Sequence, residues 1–289
     1  MTSWLDTIIQ GVLLGGLYAL YATSLSLIFG IMRLVNLAHG DFIVLATYLI
    51  LVIGSVSGLN IVIALVIAVP IMFGVGYMLQ RFILNRTLGR DILPPLLITF
   101  GLSIILQNGL QQAFSADSRR LSVGPIESAS IQLGNGLAVG VMPLLTLATA
   151  VAVVLGLNFL FYSTRIGRAF RATSDDPEVA QLVGINRKRT YAVAMGLALA
   201  IATLGAFFLG SRANFDPTIG PARLLYAFEA VIIGGLGSLW GTLAGGIVLG
   251  VAQAVGGALS PEWQILAGHI AFLVILVVRP RGLFPRAVD

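Results

Sequence analysis

The chain has 289 residues, of which 57% are hydrophobic and only 10% charged, with a mean hydropathy of +0.97. Soluble domains carry about 25% charged residues, so a soluble enzyme or binding module is excluded and an integral membrane protein is implied. The net charge of +5 is read through membrane topology rather than as affinity for nucleic acid, because most cations flank apolar runs; with no cysteine, disulfides and thiolate chemistry are excluded as well.

A helix needs about 20 apolar residues to cross the hydrocarbon core. Crossings are therefore expected at 7–31, 42–57, 59–80, 92–114, 137–161, 191–211, 224–258 as a broken or paired segment, and 263–278. The expected fold is all-α and polytopic, with roughly 8–9 membrane segments. Residues 1–289 read as a single transmembrane domain. Met1-Thr-Ser-Trp-Leu-Asp6 has no positive stretch, so no cleaved signal peptide is expected and the first apolar run is kept as a span. The 34 glycines exceed the roughly 7% norm, and most lie in apolar runs, where small residues let helices approach closely.

The first polar cluster is Val35-Asn-Leu-Ala-His-Gly-Asp-Phe42, which places Asn36, His39, Gly40 and Asp41 between two apolar segments. Two structures satisfy it. One is a solvated interfacial turn in which Asn36 or Asp41 caps the next helix. The other is an interrupted helix whose polar groups line a central pathway, since polar residues at depth face a bundle interior. One His and one Asp make no metal set, and no nucleophile motif accompanies them.

Between Ser163 and Tyr191 the chain becomes polar and cationic, with six of its 17 basic residues. Such an island must face water, and it carries a small helix of its own. Asp176 is its N-cap, Pro177 suits the first turn, and Gly184 ends it. Val179, Leu182 and Val183 form one apolar stripe, which a multi-span protein offers to a soluble partner. If 32–41, 81–91, 162–190 and the C-terminus share a side, that side holds thirteen of the 17 cations, including Arg90 and Arg286. Arg119, Arg120, Arg212 and Arg223 fall on the other side. The positive-inside rule then puts the thirteen in the cytoplasm and the N-terminus outside. The outer segment 115–136 is long and polar.

The second cluster runs from Ala227 to Gly250. Glycines 234, 235 and 237 are denser than helix packing requires, which points to a break with exposed backbone, a recurring substrate-binding device near the membrane midplane. Glu229 is the one acid in this stretch, and buried, paired, protonated and interfacial states all remain open to it. No Gly-x-x-x-x-Gly-Lys-Ser/Thr occurs, so the chain has no P-loop of its own.

Four blocks together resemble the permease subunits of the hydrophobic (branched-chain) amino-acid ABC importers. They are Gly15-Gly-Leu-Tyr-Ala-Leu20 with Asn36–Phe42; Thr164–Arg171 running into Ala180–Asn186; Ile233-Gly-Gly-Leu-Gly-Ser238; and Arg279-Pro-Arg-Gly-Leu-Phe284. The resemblance spans nearly the whole chain. It implies a heterodimer of two related permeases in a bacterial-type inner membrane, two cytosolic P-loop ATPases and an extracytoplasmic solute-binding protein, with no nucleic acid. It further implies a transport subunit that is not itself an enzyme and holds no cofactor, ATP being bound by the partner subunits. Glu178-Val-Ala180 followed by Gly184 looks like the family's cytoplasmic coupling motif, with Val at 179 for the usual Ala and no Leu-Pro after Ala194. That makes 164–190 the coupling loop, with Arg168, Arg171, Glu178, Val179, Ala180, Leu182, Val183 and Gly184 facing the ATPase. Asn36, His39, Gly40, Asp41, Glu229, Gly234, Gly235 and Gly237 are the expected substrate pathway. Neutral amino acids are the expected cargo, with urea or short amides as the alternative. A stand-alone secondary transporter or channel would need more intramembrane ionisable residues than Asp41, His39 and Glu229.

Overall fold

The computed structural model describes residues 4–87, 93–134 and 137–284. Its helices are α1 (Trp4–Met32), α2 (His39–Ser57), α3 (Ile61–Met78), α4 (Leu93–Phe114), α5 (Val141–Ser163), α6 (Arg165–Asp175), α7 (Pro177–Leu182), α8 (Arg187–Arg212), α9 (Gly220–Gly234), α10 (Leu239–Leu259) and α11 (Trp263–Val278). A π turn and a 3-10 turn carry α3 on to Arg86. Seven of these helices are long and apolar enough to cross a membrane: α1, α2, extended α3, α4, α5, α8 and α10. Helix α11 is a shorter apolar helix, and α9 has 15 residues. The all-α polytopic expectation holds, with one addition. Strands β1 (Ser130–Gly134) and β2 (Leu137–Gly140) form an antiparallel hairpin just before α5.

Helices α1 and α8 are mostly buried, and α3, α4 and α5 mostly exposed. An outer ring of leucine, isoleucine and valine suits lipid, which is as apolar as those side chains and supplies no hydrophobic drive for helices to associate. The centre is held by close backbone approach instead. Helices α1 and α10 run antiparallel with Gly11 against Val251 and Gly15 against Ile247, and Gly76 of α3 meets Met195 of α8. Side-chain caps start several helices: Asn60 accepts from the Val62 amide, Thr164 from Gly167, Asn186 from Arg189 and Ser238 from Gly241. Each satisfies a first-turn N–H that has no intrahelical acceptor.

Contacts between loops define two ends of the bundle. At one end Ser174 donates to the Gly30 carbonyl (2.6 Å) and Asn85 to the Lys188 carbonyl (3.0 Å). There too the Leu283 and Phe284 amides bond the Ile233 and Gly234 carbonyls. This end gathers Arg33, Arg81, Arg86, the cations of α6 and early α8, Arg279 and Arg281; we call it the basic end. Arg90 and Arg286 lie outside the described residues. At the opposite end Arg119 and Phe215 pair through their backbones, Arg120 reaches the Ser211 carbonyl and Gln10 the Ala138 carbonyl. Arg223, expected in a loop on that side, instead lies inside α9 with its guanidinium 5.8 Å from the Tyr226 ring centroid. Helix α9 starts four residues earlier than the expected span at 224, so it takes in Arg223.

Candidate functional site

The segment between α1 and α2 does not run along the surface. Arg33 adopts a left-handed φ of 50°, which turns the chain back along α1. The following residues are buried: Asn36 and His39 at 0% exposure and Asp41 at 1%. His39 Nε2 is 2.9 Å from the Ser24 hydroxyl, about 12 Å inside the end of α1 at 1.5 Å per residue. Ser24 donates its proton to the Tyr21 carbonyl, so its oxygen is available to the Nε2–H of His39. Asn36 Oδ1 accepts from the Ala38 amide (3.1 Å), and α4 closes over the turn with Thr99 accepting from the Leu37 amide (3.2 Å). Neither Asn36 nor Asp41 caps α2, whose N-cap position is Ala38 with no side-chain bond. A solvated, capped turn is therefore not the structure adopted.

Asp41 sits where two helices begin. It lies in the first turn of α2, and its Oδ1 packs against Gly220, the first residue of α9. Helix N-termini carry partial positive charge, which favours a carboxylate there. Asp41 Oδ2 accepts from Ser103 of α4 at 2.5 Å, and Gln107 donates to the same hydroxyl. Oδ1 is buried without a hydrogen-bond partner, as are Asn36 Nδ2 and His39 Nδ1. Gly40 and Gly220 make the junction possible, because a Cβ on Gly40 would strike the Gly220 carbonyl and one on Gly220 would strike Asp41. Among the described residues no cation pairs with Asp41, and no group of three His, Cys, Asp or Glu could hold a metal.

The glycine break lies elsewhere. Gly234 ends α9 about 21 Å along the helix from Gly220, at the basic end, where Gly237 packs on Gly30 of α1. Gly235 (φ 107°) and Gly237 (φ 80°) both take conformations that only glycine adopts without cost. Ser238 then caps α10. The segment 224–258 is thus the end of one short helix and a full crossing, and the structure does not bring Gly234, Gly235 and Gly237 to the Asn36–Asp41 cluster. The interruption deeper in the bundle is the one before Gly220.

Glu229 is buried and paired. Its Oε1 meets His269 Nδ1 of α11, whose ring faces Tyr226. Tyr226 packs on Tyr18 (5.1 Å between centroids), and the Tyr18 hydroxyl bonds Gln253 Oε1 at 2.5 Å. This network ties α1, α9, α10 and α11 together about 14 Å along α9 from Gly220. Reading the sequence missed His269, Tyr18, Gln253, Ser24, Ser103 and Gly220 as partners. The available signal was that a lone histidine in an apolar helix needs a polar neighbour.

In the polar loop Asp176 Oδ1 accepts from the Glu178 and Val179 amides (2.9 and 3.0 Å), and Gly184 is left-handed at φ 86°. Val179, Leu182 and Val183 are 53%, 86% and 71% exposed, an apolar stripe with nothing on it. Ala180 is buried beneath them, Glu178 and Arg168 are exposed, and Arg171 is half-buried over the Tyr162 ring. A second helix, α6, was not foreseen. Its Phe170 is fully buried, and its Gly167 lies on the Leu160 and Phe161 carbonyls of α5.

Comparison with known proteins gives a consistent result. The profile of the family described as branched-chain amino acid transport system / permease component matches residues 7–279. The high-affinity branched-chain amino acid transport system permease protein BraD of Pseudomonas aeruginosa is 28% identical, covering 98% of this chain and 96% of its own length. LivH, the corresponding permease protein of Escherichia coli K12, has the same identity and coverage. The fructose import permease protein FrcC of Rhizobium meliloti is 29% identical over 73% of this chain and 61% of its own. Among solved structures, PsaBC from Streptococcus pneumoniae in complex with Fab aligns with a TM-score of 0.51 and 15% identity, covering 94% of this chain and 92% of that one. That likeness concerns the fold.

Proposed function

Because the chain belongs to the branched-chain amino acid transport permease family, we propose that it is the translocating subunit of an ATP-driven importer for branched-chain or other neutral amino acids. An extracytoplasmic binding protein delivers the solute, a second related permease completes the pathway, and two cytosolic ATPases bind and hydrolyse the ATP. The basic end faces the cytoplasm and the N-terminus lies outside, an orientation that the distribution of cations supports. The substrate pathway runs past Asn36, His39, Gly40 and Asp41, whose unpartnered polar atoms are the chemistry available to a zwitterion at that depth. Glu229 and the Gly234–Gly237 break govern movement of α9 on that pathway rather than contacting solute at the same place.

The observation that carries this reading is the bare stripe of Val179, Leu182 and Val183 on a capped helix at the basic end. A stripe of that kind fits an apolar groove on a soluble partner, and in this family's setting the partner is an ATPase. Co-purification of a P-loop ATPase pair with the permease tests the assembly. Leu182→Asp is expected to insert and fold normally, since Leu182 touches little of its own chain, yet to lose ATP-driven uptake in proteoliposomes. Uptake at the normal rate by that variant removes the coupling assignment. Ligand screening of the binding protein decides between branched-chain amino acids and urea or short amides.

A further inference from the structure

At the basic end a cavity of about 260 Å³ opens between α1, α5, α6 and the start of α10. Its polar lining comes from Ser26, Asn158, Tyr162, Arg171 and the α10 cap Ser238, and its remaining wall includes Leu239 and Trp240. No Asp or Glu is among the residues that line it. We propose that this cavity binds a phosphate group, presented by the headgroup of an anionic membrane lipid.

Three independent features converge on an anion. Arg171 carries the one formal charge in the lining, with its guanidinium held 5.0 Å from the Tyr162 ring centroid; a planar fork of N–H donors suits phosphate. The cavity also receives the N-terminus of α10, a 21-residue helix. Its Leu239 and Trp240 amides belong to the first turn, where no intrahelical acceptor exists and the dipole favours negative charge. The third feature is Ser26, 1% exposed and without a hydrogen-bond partner for its hydroxyl. Several buried threonine hydroxyls of the bundle bond back to their own backbone, Thr146 to Met142, Thr173 to Ala169 and Thr203 to Leu199, whereas the Tyr21 and Tyr48 hydroxyls are buried without a partner. Ser26 does not bond back, and it is among the residues that line the cavity.

The position favours a lipid as the bearer of the phosphate. Tyr162 and Trp240 are 66% and 47% exposed, as expected of aromatics at the headgroup level of a membrane. Basic pockets between helices at that level take lipid headgroups. The site also has a route to the coupling loop. Arg171 lies on α6, whose Ser174 bonds the end of α1, and α6 leads directly into α7. Arg171, read from sequence as an ATPase contact, is here a ligand-binding residue that holds α6 against the bundle.

The test uses the full-length permease with its ATPase partners, solubilised in mild detergent and analysed by native mass spectrometry. Phosphatidylglycerol and diacylglycerol of matched chains are offered in one arm and labelled inorganic phosphate in the other. The wild type should retain phosphatidylglycerol over diacylglycerol. Arg171→Gln should lower that retention about tenfold, the loss of one charge-assisted anion contact. Arg171→Lys should restore part of it, and Arg165→Gln, exposed and outside the cavity, should not change it. Should Arg171→Gln fail to reach the membrane, Ser26→Ala removes one donor with little change in volume, and about a threefold loss is expected. Binding of inorganic phosphate that depends on Arg171, without lipid retention, upholds the phosphate site and identifies a soluble ion as its source. Equal retention by wild type and Arg171→Gln, or equal retention of diacylglycerol, overturns the proposal. None of these outcomes bears on importer function, which is read by uptake.

Discussion

The interruption before α9 is closed by side chains as well as by backbone, whereas the interruption after it is closed by backbone. At Gly220 the Gly40 backbone and the carboxylate of Asp41, bonded by the Ser103 hydroxyl, meet the start of the helix. At Gly235 the tail residues 282–284 lie on the glycines and bond the Ile233 and Gly234 carbonyls. A junction built from backbone alone can fix geometry but offers a solute little chemistry. One built from side chains, with three buried polar atoms left unpartnered, retains hydrogen-bonding capacity at a cost in stability. Helix α9 therefore runs from an end with spare hydrogen-bonding groups to an end held by backbone contacts.

The strongest way to break the comparison is Gly40→Val. Its side chain would occupy the position of the Gly220 carbonyl, and severe overpacking between two backbones costs more than about 3 kcal/mol. We expect little folded protein on size-exclusion chromatography, and a normal yield would show that α2 and α9 separate freely. Next comes Gly235→Val. Its φ of 107° strains any residue with a Cβ by about 1–3 kcal/mol, and its backbone is in close contact with Gly282. That variant should stay bound to its ATPases and lose uptake.

Asp41→Ala should have a smaller effect on stability. It leaves the Ser103 hydroxyl without its acceptor, at about 1–3 kcal/mol, read as a lowered melting temperature of the purified permease. Asp41→Asn keeps an acceptor for Ser103 and should recover most of that loss. If the junction serves solute, both variants lose uptake regardless of stability. The gentlest probe uses the absence of cysteine. Single cysteines at 36 and 39 should label only when ATP and binding protein are cycling the complex, since both positions are buried in this state. Full labelling under all conditions would remove them from the pathway.

The spans were legible because length and hydropathy alone define them, and helix α7 because Asp176, Pro177 and Gly184 are local signals that act within eight residues. Asp41 could be recognised as polar and misplaced, but not its position against Gly220, 179 residues away, since nothing local encodes a close approach between distant glycines. The Glu229–His269 pair was hidden for the same reason. Glycine density located the break at Gly234–Gly237, but it says where a helix stops and not at which depth its neighbours put that stop.

The antiparallel seam between α1 and α10 has a consequence for how the protein is made. Its hydrogen bond from Tyr18 to Gln253 joins residues 235 positions apart. At about 5–20 residues per second, α10 leaves the ribosome roughly 10 to 50 seconds after α1. During that interval the glycine-lined face of α1 has no native partner, and lipid or an insertase must cover it. Nascent-chain crosslinking from position 15 should therefore capture the insertion machinery until about residue 260 has been synthesised and emerged, and release it abruptly thereafter.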